Sequence, residues 1–187
     1  MKRRGLWRIF SVAMAALLLG AVAAPNAVAQ TEARSRVYDN PLEIQISGDG
    51  LVESCADPVV IKGQAADDSY WYMYCTTDPL NDEDRDPGGN YIFHFIPMLR
   101  SLDLVNWTYM GDAFATRPGW VADDAGLWAP EIQYFNGQYY LYYTASWTDL
   151  PGGGSAIGVA TSPSPLGPWV DSGAPAVEPH APACCPN

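Results

Sequence analysis

The chain has 187 residues, 48% of them hydrophobic and 17% charged, and its 21 Asp and Glu against 10 Lys and Arg give a formal charge of −11. So acidic a surface repels nucleic acid and anionic membranes and suits a soluble protein acting on a neutral partner. With 11 Tyr and 7 Trp the chain carries more large rings than a small core needs, and strands and sugar-binding surfaces are the two common uses of such rings.

Residues 1–29 read as a secretion signal. Lys2, Arg3, Arg4 and Arg8 form a basic start, Ile9 to Ala24 an apolar stretch, and Ala27-Val28-Ala29 a small-x-small cleavage site ahead of Gln30. The apolar stretch is short for a stable membrane span, and the Arg3-Arg4 pair leaves the export route open. Cleavage removes those four basic residues and no acidic one, so six basic residues face 21 acidic ones and the charge becomes −15. A secreted, extracellular monomer is expected, without membrane contact once the leader is gone.

Residues 30–54 read as a lead-in. Beyond them helical periodicity is nearly absent, and short runs rich in Tyr, Trp, Val and Ile recur between turn residues. The expected strands are Pro58 to Ile61, Tyr70 to Thr76, Ile96 to Ser101 and Trp107 to Met110, then Glu131 to Phe135, Gln138 to Ala145, Ala156 to Thr161 and Trp169 to Asp171. The fold class is therefore all-β, in two sets of four strands. The sets repeat in content: Val59 answers to Ile132, Tyr72-Met73-Tyr74 to Tyr140-Leu141-Tyr142, and Trp107 to Trp169. A repeated four-stranded unit is the signature of a propeller blade. Blade 1 is placed at about 55–115, blade 2 at about 127–173, and 174–187 begins a linker to a third. Two to two and a half blades fall short of the four to eight that close a propeller, so a fragment is expected, inactive by itself; a complete two-sheet sandwich is the competing architecture.

Four cysteines, Cys55, Cys75, Cys184 and Cys185, fit an oxidising compartment and allow three pairings. Cys55 and Cys75 flank a candidate hairpin at nearly cross-strand positions and are the expected disulfide. Cys184 and Cys185 are adjacent, and neighbours rarely bridge without strain. With His180 they form a cluster lacking the companion pair of a zinc site.

The two repeats each place an acidic residue near the start of the innermost strand, Asp57 in Cys55-Ala56-Asp57-Pro58 and Glu131 in Trp128-Ala129-Pro130-Glu131. Blades are related by rotation about the channel, so these starts converge at one mouth. Carboxylates in an aromatic-lined cleft suit glycoside hydrolysis, in which one activates water and another protonates the leaving oxygen. The competing roles are a turn cap for Asp57 and a brace at the blade junction for Glu131.

Other motifs carry less. Asp82, Asp84 and Asp86 imitate a calcium loop, but Pro87 stands where that loop needs Gly and Phe93 where it needs Glu; no cofactor is expected to be required, and calcium is not indicated. Gly152-Gly153-Gly154-Ser155 lacks the second Gly of a nucleophile elbow and reads as a hairpin loop. His94, in the apolar run Tyr91 to Phe95, reads as a structural histidine. Asn106-Trp107-Thr108 matches a glycosylation sequon on a tryptophan that looks buried.

Taken in order, Ala56-Asp57-Pro58-Val59-Val60, Tyr70-Trp71-Tyr72-Met73-Tyr74, Arg100 to Trp107, Leu127-Trp128-Ala129-Pro130-Glu131, Asn136 to Tyr143 and Ala160 to Trp169 resemble glycoside hydrolase family 43 over roughly residues 55–173. The resemblance implies a five-bladed propeller that cleaves arabinosides or xylosides of plant polysaccharides with inversion. It implies Asp57 as general base, Trp128 as a sugar-stacking ring and Glu131 as a pocket support. The pKa-tuning Asp and the acid Glu are implied to come from the third and fourth blades. A carbohydrate-binding propeller without catalysis is the alternative.

Overall fold

The computed structural model describes residues 43–48 and 50–179. The leader expected at 1–29, His180, Cys184 and Cys185 lie outside the described residues. Within those residues the chain is all-β, with ten strands in two antiparallel-based sheets and no helix.

The first sheet is built from β1 (Ile44–Gln45), β2 (Leu51–Val52), β3 (Val59–Lys62), β4 (Trp71–Tyr74), β5 (Phe95–Ser101) and β6 (Trp107–Phe114), in the order β2-β1-β6-β5-β4-β3. The second is built from β7 (Leu127–Phe135), β8 (Gln138–Ala145), β9 (Ala156–Ser162) and β10 (Val170–Asp171), in the order β10-β9-β8-β7. Each contains a four-stranded meander, β3 to β6 and β7 to β10, with the innermost strand first. The lead-in is more than a lead-in, because β1 and β2 extend the first sheet, β1 running parallel to β6. Strands of two residues carry no alternation long enough to be legible in sequence.

The hairpin β7–β8 turns at Asn136-Gly137, with φ of 50° and 83°. Positive φ at both central residues is what a two-residue turn needs to match strand twist, and Asn-Gly provides it with little strain. Alternation along β8 then sends Tyr139, Leu141 and Tyr143 to one face, all buried. They meet Tyr72, Tyr74, Ile96 and Met98 of the first sheet in one core.

Polar ties cross the same junction. The Tyr74 hydroxyl donates to the Pro165 carbonyl at 2.5 Å, the Gln64 amide donates to the Tyr139 hydroxyl at 2.9 Å, and Tyr74 meets Trp169 edge to face. Burial pushes the Tyr74 and Tyr143 phenols well above their ordinary range, so both stay neutral donors. A second core, with Ile44, Val52, Met73, Cys75, Leu80, Leu99 and Trp107, backs the other face of the first sheet.

Candidate active site

The chain enters β3 through Asp57, whose φ is 47°, and passes the bulge of β7, between Trp128 and Glu131, through Ala129, whose φ is 44°. A non-glycine residue in this left-handed region is uncommon, and each such position costs about 1–2 kcal/mol unless a local hydrogen bond offsets it. Both residues precede a proline, Pro58 and Pro130, and proline disfavours a right-handed helical conformation for the residue before it.

Register identifies the repeat. Val59 pairs with Tyr74, and Glu131 pairs with Tyr142. Asp57 is therefore the counterpart of Ala129, and Glu131 the counterpart of Val59. This corrects the sequence-based pairing of Asp57 with Glu131 and of Val59 with Ile132. The two acidic residues stand two positions apart in the repeat, Asp57 in the turn before the strand and Glu131 within it.

Asp57 is exposed, and its Oδ2 accepts a hydrogen bond from the Thr76 hydroxyl at 3.1 Å. That hydroxyl in turn accepts from the Ala129 amide at 2.9 Å. A backbone N–H can only donate, so the single Thr76 hydrogen is left for Asp57. The relay spans both sheets: the backbone of the second orients the hydroxyl that holds the carboxylate of the first. Around it, the Thr76 amide donates to the Ala56 carbonyl at 3.0 Å, the Thr77 amide to the Leu127 carbonyl at 2.9 Å and the Leu127 amide to the Thr77 hydroxyl at 3.2 Å. A disulfide joins Cys55 to Cys75, which stand immediately before these two segments.

Two exposed indoles flank this end of the sheets. Trp128 is 48% exposed and Trp147, in the loop after β8, is 44% exposed. Each lies on a glycine, for a Cβ on Gly126 would run into the Trp128 ring and one on Gly153 would stand 2.7 Å from the Trp147 ring. Rings so floored keep one face toward solvent.

Glu131 is brought elsewhere. Its Oε1 accepts from the Gln133 amide group at 2.7 Å, and the alternation of β7 puts it on the face turned away from the first sheet, where Ile132 is buried and Glu131 and Gln133 are exposed. Sequence reasoning missed Thr76 and Trp147. Nothing distinguishes Thr76 in sequence from any threonine at a strand end, whereas Trp147 had a usable signal as a bulky ring next to a glycine-rich loop.

These features define the class: two adjoining β-propeller blades whose shared mouth carries one exposed carboxylate hydrogen-bonded to Thr76, with exposed rings at the same end of the second sheet. Residues 51–182 match the family model for glycosyl hydrolases family 43. The chain belongs to that family. It is 32% identical over 183 residues to an extracellular endo-alpha-(1->5)-L-arabinanase of Bacillus subtilis (strain 168), covering 92% of this chain and 46% of that protein. It is 33% identical over 127 residues to an extracellular exo-alpha-(1->5)-L-arabinofuranosidase of Cellvibrio japonicus, covering 63% of this chain and 30% of that one. Thus the chain spans less than half the length of these relatives. The exo-beta-1,3-galactanase structure from Phanerochaete chrysosporium superposes with a TM-score of 0.51 at 18% identity, over 73% of this chain and 29% of that one, a likeness of fold.

Proposed function

We propose that the full-length protein is a secreted glycosidase that hydrolyses α-1,5-linked arabinan with inversion, and that Asp57 is its general base. The observation that carries this reading is the Ala129–Thr76–Asp57 relay, which fixes one carboxylate oxygen and leaves the other open to solvent at the mouth. The arabinan substrate is supported by the activities of the two relatives above, and secretion by the extracellular location of both together with the leader expected at 1–29.

In this mechanism a water molecule donates a hydrogen bond to the free oxygen of Asp57. As its oxygen bonds to the anomeric carbon, its proton passes to Asp57. The bond from that carbon to the leaving oxygen breaks on the opposite side, and a second carboxyl group protonates the leaving oxygen. Inverting pairs stand about 6.5–9.5 Å apart to leave space for that water. Glu131, held by Gln133 on the far face of the second sheet, is not given the proton-donor role. Trp128 and Trp147 offer faces for the apolar sides of furanose rings, and the acidic surface accepts a neutral polysaccharide while rejecting polyanions.

The test is Asp57→Asn in the full-length protein, assayed by release of reducing ends from linear arabinan. Turnover is expected to fall by roughly 10²- to 10⁴-fold, the usual share of a general base, with an unchanged melting temperature. Near-normal turnover would sink the assignment.

A further inference from the structure

We infer that the long β4–β5 loop, residues 77–94, carries a glycan-binding shelf outside the cleavage point, with Phe93 and Tyr91 as its stacking rings. This rests on the glycosidase reading above and extends it to a second place where the substrate chain is held.

The strand directions put the loop at the right end. β3 starts beside Asp57 and β4 returns to end beside Thr76, so the segment leaving β4 emerges at the mouth that bears the carboxylate. The loop folds as an irregular hairpin with bridges between Asp78 and His94 and between Arg85 and Tyr91. Its base is tied to the segment that leads into Asp57, because the Ser54 hydroxyl donates to the Asp78 carboxylate and the Leu80 carbonyl accepts from the Glu53 amide at 2.7 Å. The Cys55–Cys75 disulfide staples the same two segments. A cavity of about 390 Å³ opens between them, lined by Glu53, Ser54, Asp78, Asn81, Tyr91 and Phe93 among others.

The chemistry of that lining selects its ligand. Phe93 is 52% exposed, an unusual place for a phenylalanine with a packed core available nearby. The Arg85 guanidinium stacks 3.6 Å from the centre of the Tyr91 ring and fixes it, and the Tyr91 hydroxyl leans on Asp82 at 3.4 Å. Exposed rings beside carboxylate and amide groups match a neutral polyol, whose C–H faces stack on the rings while its hydroxyls donate to the carboxylates. Anions are repelled.

The experiment measures binding without turnover. In the full-length protein carrying Asp57→Ala, affinity for arabinohexaose is read by calorimetry with and without Phe93→Leu, which keeps apolar volume and removes the ring face. Loss of the ring should weaken binding by roughly 3- to 10-fold at an unchanged melting temperature. An unchanged Kd overturns the shelf, and so does a lowered melting temperature with unchanged Kd, which makes Phe93 an internal packing residue. Failure of the glycosidase reading shows separately, as retained hydrolysis in the single Asp57→Ala protein.

Discussion

Just before β3 the left-handed residue before proline is Asp57, and at the bulge of β7 it is Ala129. An aspartate offsets part of that conformation with its side chain, and tolerates it several-fold more often than most residues do. Alanine has nothing to offset it with. That the strained turn is kept at Ala129 shows what the conformation is for: it aims the Ala129 amide at Thr76 and joins the sheets. The repeat copies a backbone joint, and chemistry is added to one copy by a side chain. The outer faces differ as well. That of the first sheet is backed by Ile44, Val52 and Leu80, whereas that of the second presents Trp128, Tyr142 at 36% exposure, Ile157 and Val170 to solvent.

The largest expected effect breaks or upholds the division of the second sheet into a buried and an open face. Leu141 is fully buried between the sheets and Tyr142 stands next to it on the open side. Leu141→Ala should cost about 2–5 kcal/mol through lost contacts and a residual cavity, and Tyr142→Ala within about 0.5 kcal/mol, as read by denaturant unfolding of this 187-residue chain. Comparable losses would mean that the second face is also packed in this chain.

A smaller effect sharpens the comparison of the two joints. Thr76→Val removes the hydroxyl that accepts from Ala129 and donates to Asp57. Stability should fall by about 1–2 kcal/mol, two ordinary hydrogen bonds, and kcat on arabinan by roughly 10-fold through a misaligned base, with KM little changed. Thr144→Val, the same change at the matching position of the second sheet, should leave kcat unaltered. Equal kcat losses from both would show that the relay is structural alone.

Much of this fold was legible because β8 and β9 alternate cleanly and Asn136-Gly137 announces its own turn. What escaped reading was set by backbone rather than by side-chain pattern. Asp57 aligns with Ala129 and Val59 with Glu131, so matching the acidic residues by type paired Asp57 with a residue two positions too far along. The strands β1 and β2 are too short to alternate. Asp57 itself was legible from its Ala-Asp-Pro setting, yet its hydroxyl partner comes from a strand end 19 positions on, a proximity created only by hairpin closure.

The smallest expected effect concerns the loop that the second sheet lacks. His94, which the sequence marks only as a structural histidine, is clasped between Asp112, at 2.8 Å from Nδ1, and Asp84, at 2.9 Å from Nε2. Tyr109 packs edge-on against its ring and donates to Asp112 at 2.7 Å. The hydrogen bond to Asp112 raises the His94 pKa above its ordinary 6.5, burial works against it, and the charges of Asp112 and Asp84 add to the rise. A group whose folded pKa is raised contributes stability that is fully present below its unfolded pKa and is lost as pH climbs through the folded value. The clasp should therefore hold the 77–94 loop at pH 5.5 and loosen it on the alkaline side of neutrality. Hydrogen-exchange protection of the Ile92 and His94 amides, which donate to the Asp84 and Asp78 carbonyls, should fall across that window while the Leu141 amide keeps its protection. In His94→Gln the loop should be weakly protected at both pH values. A loop equally protected at both in the wild type would show that its hairpin bridges suffice without the charged clasp, and affinity at the Phe93 shelf would then be independent of pH as well.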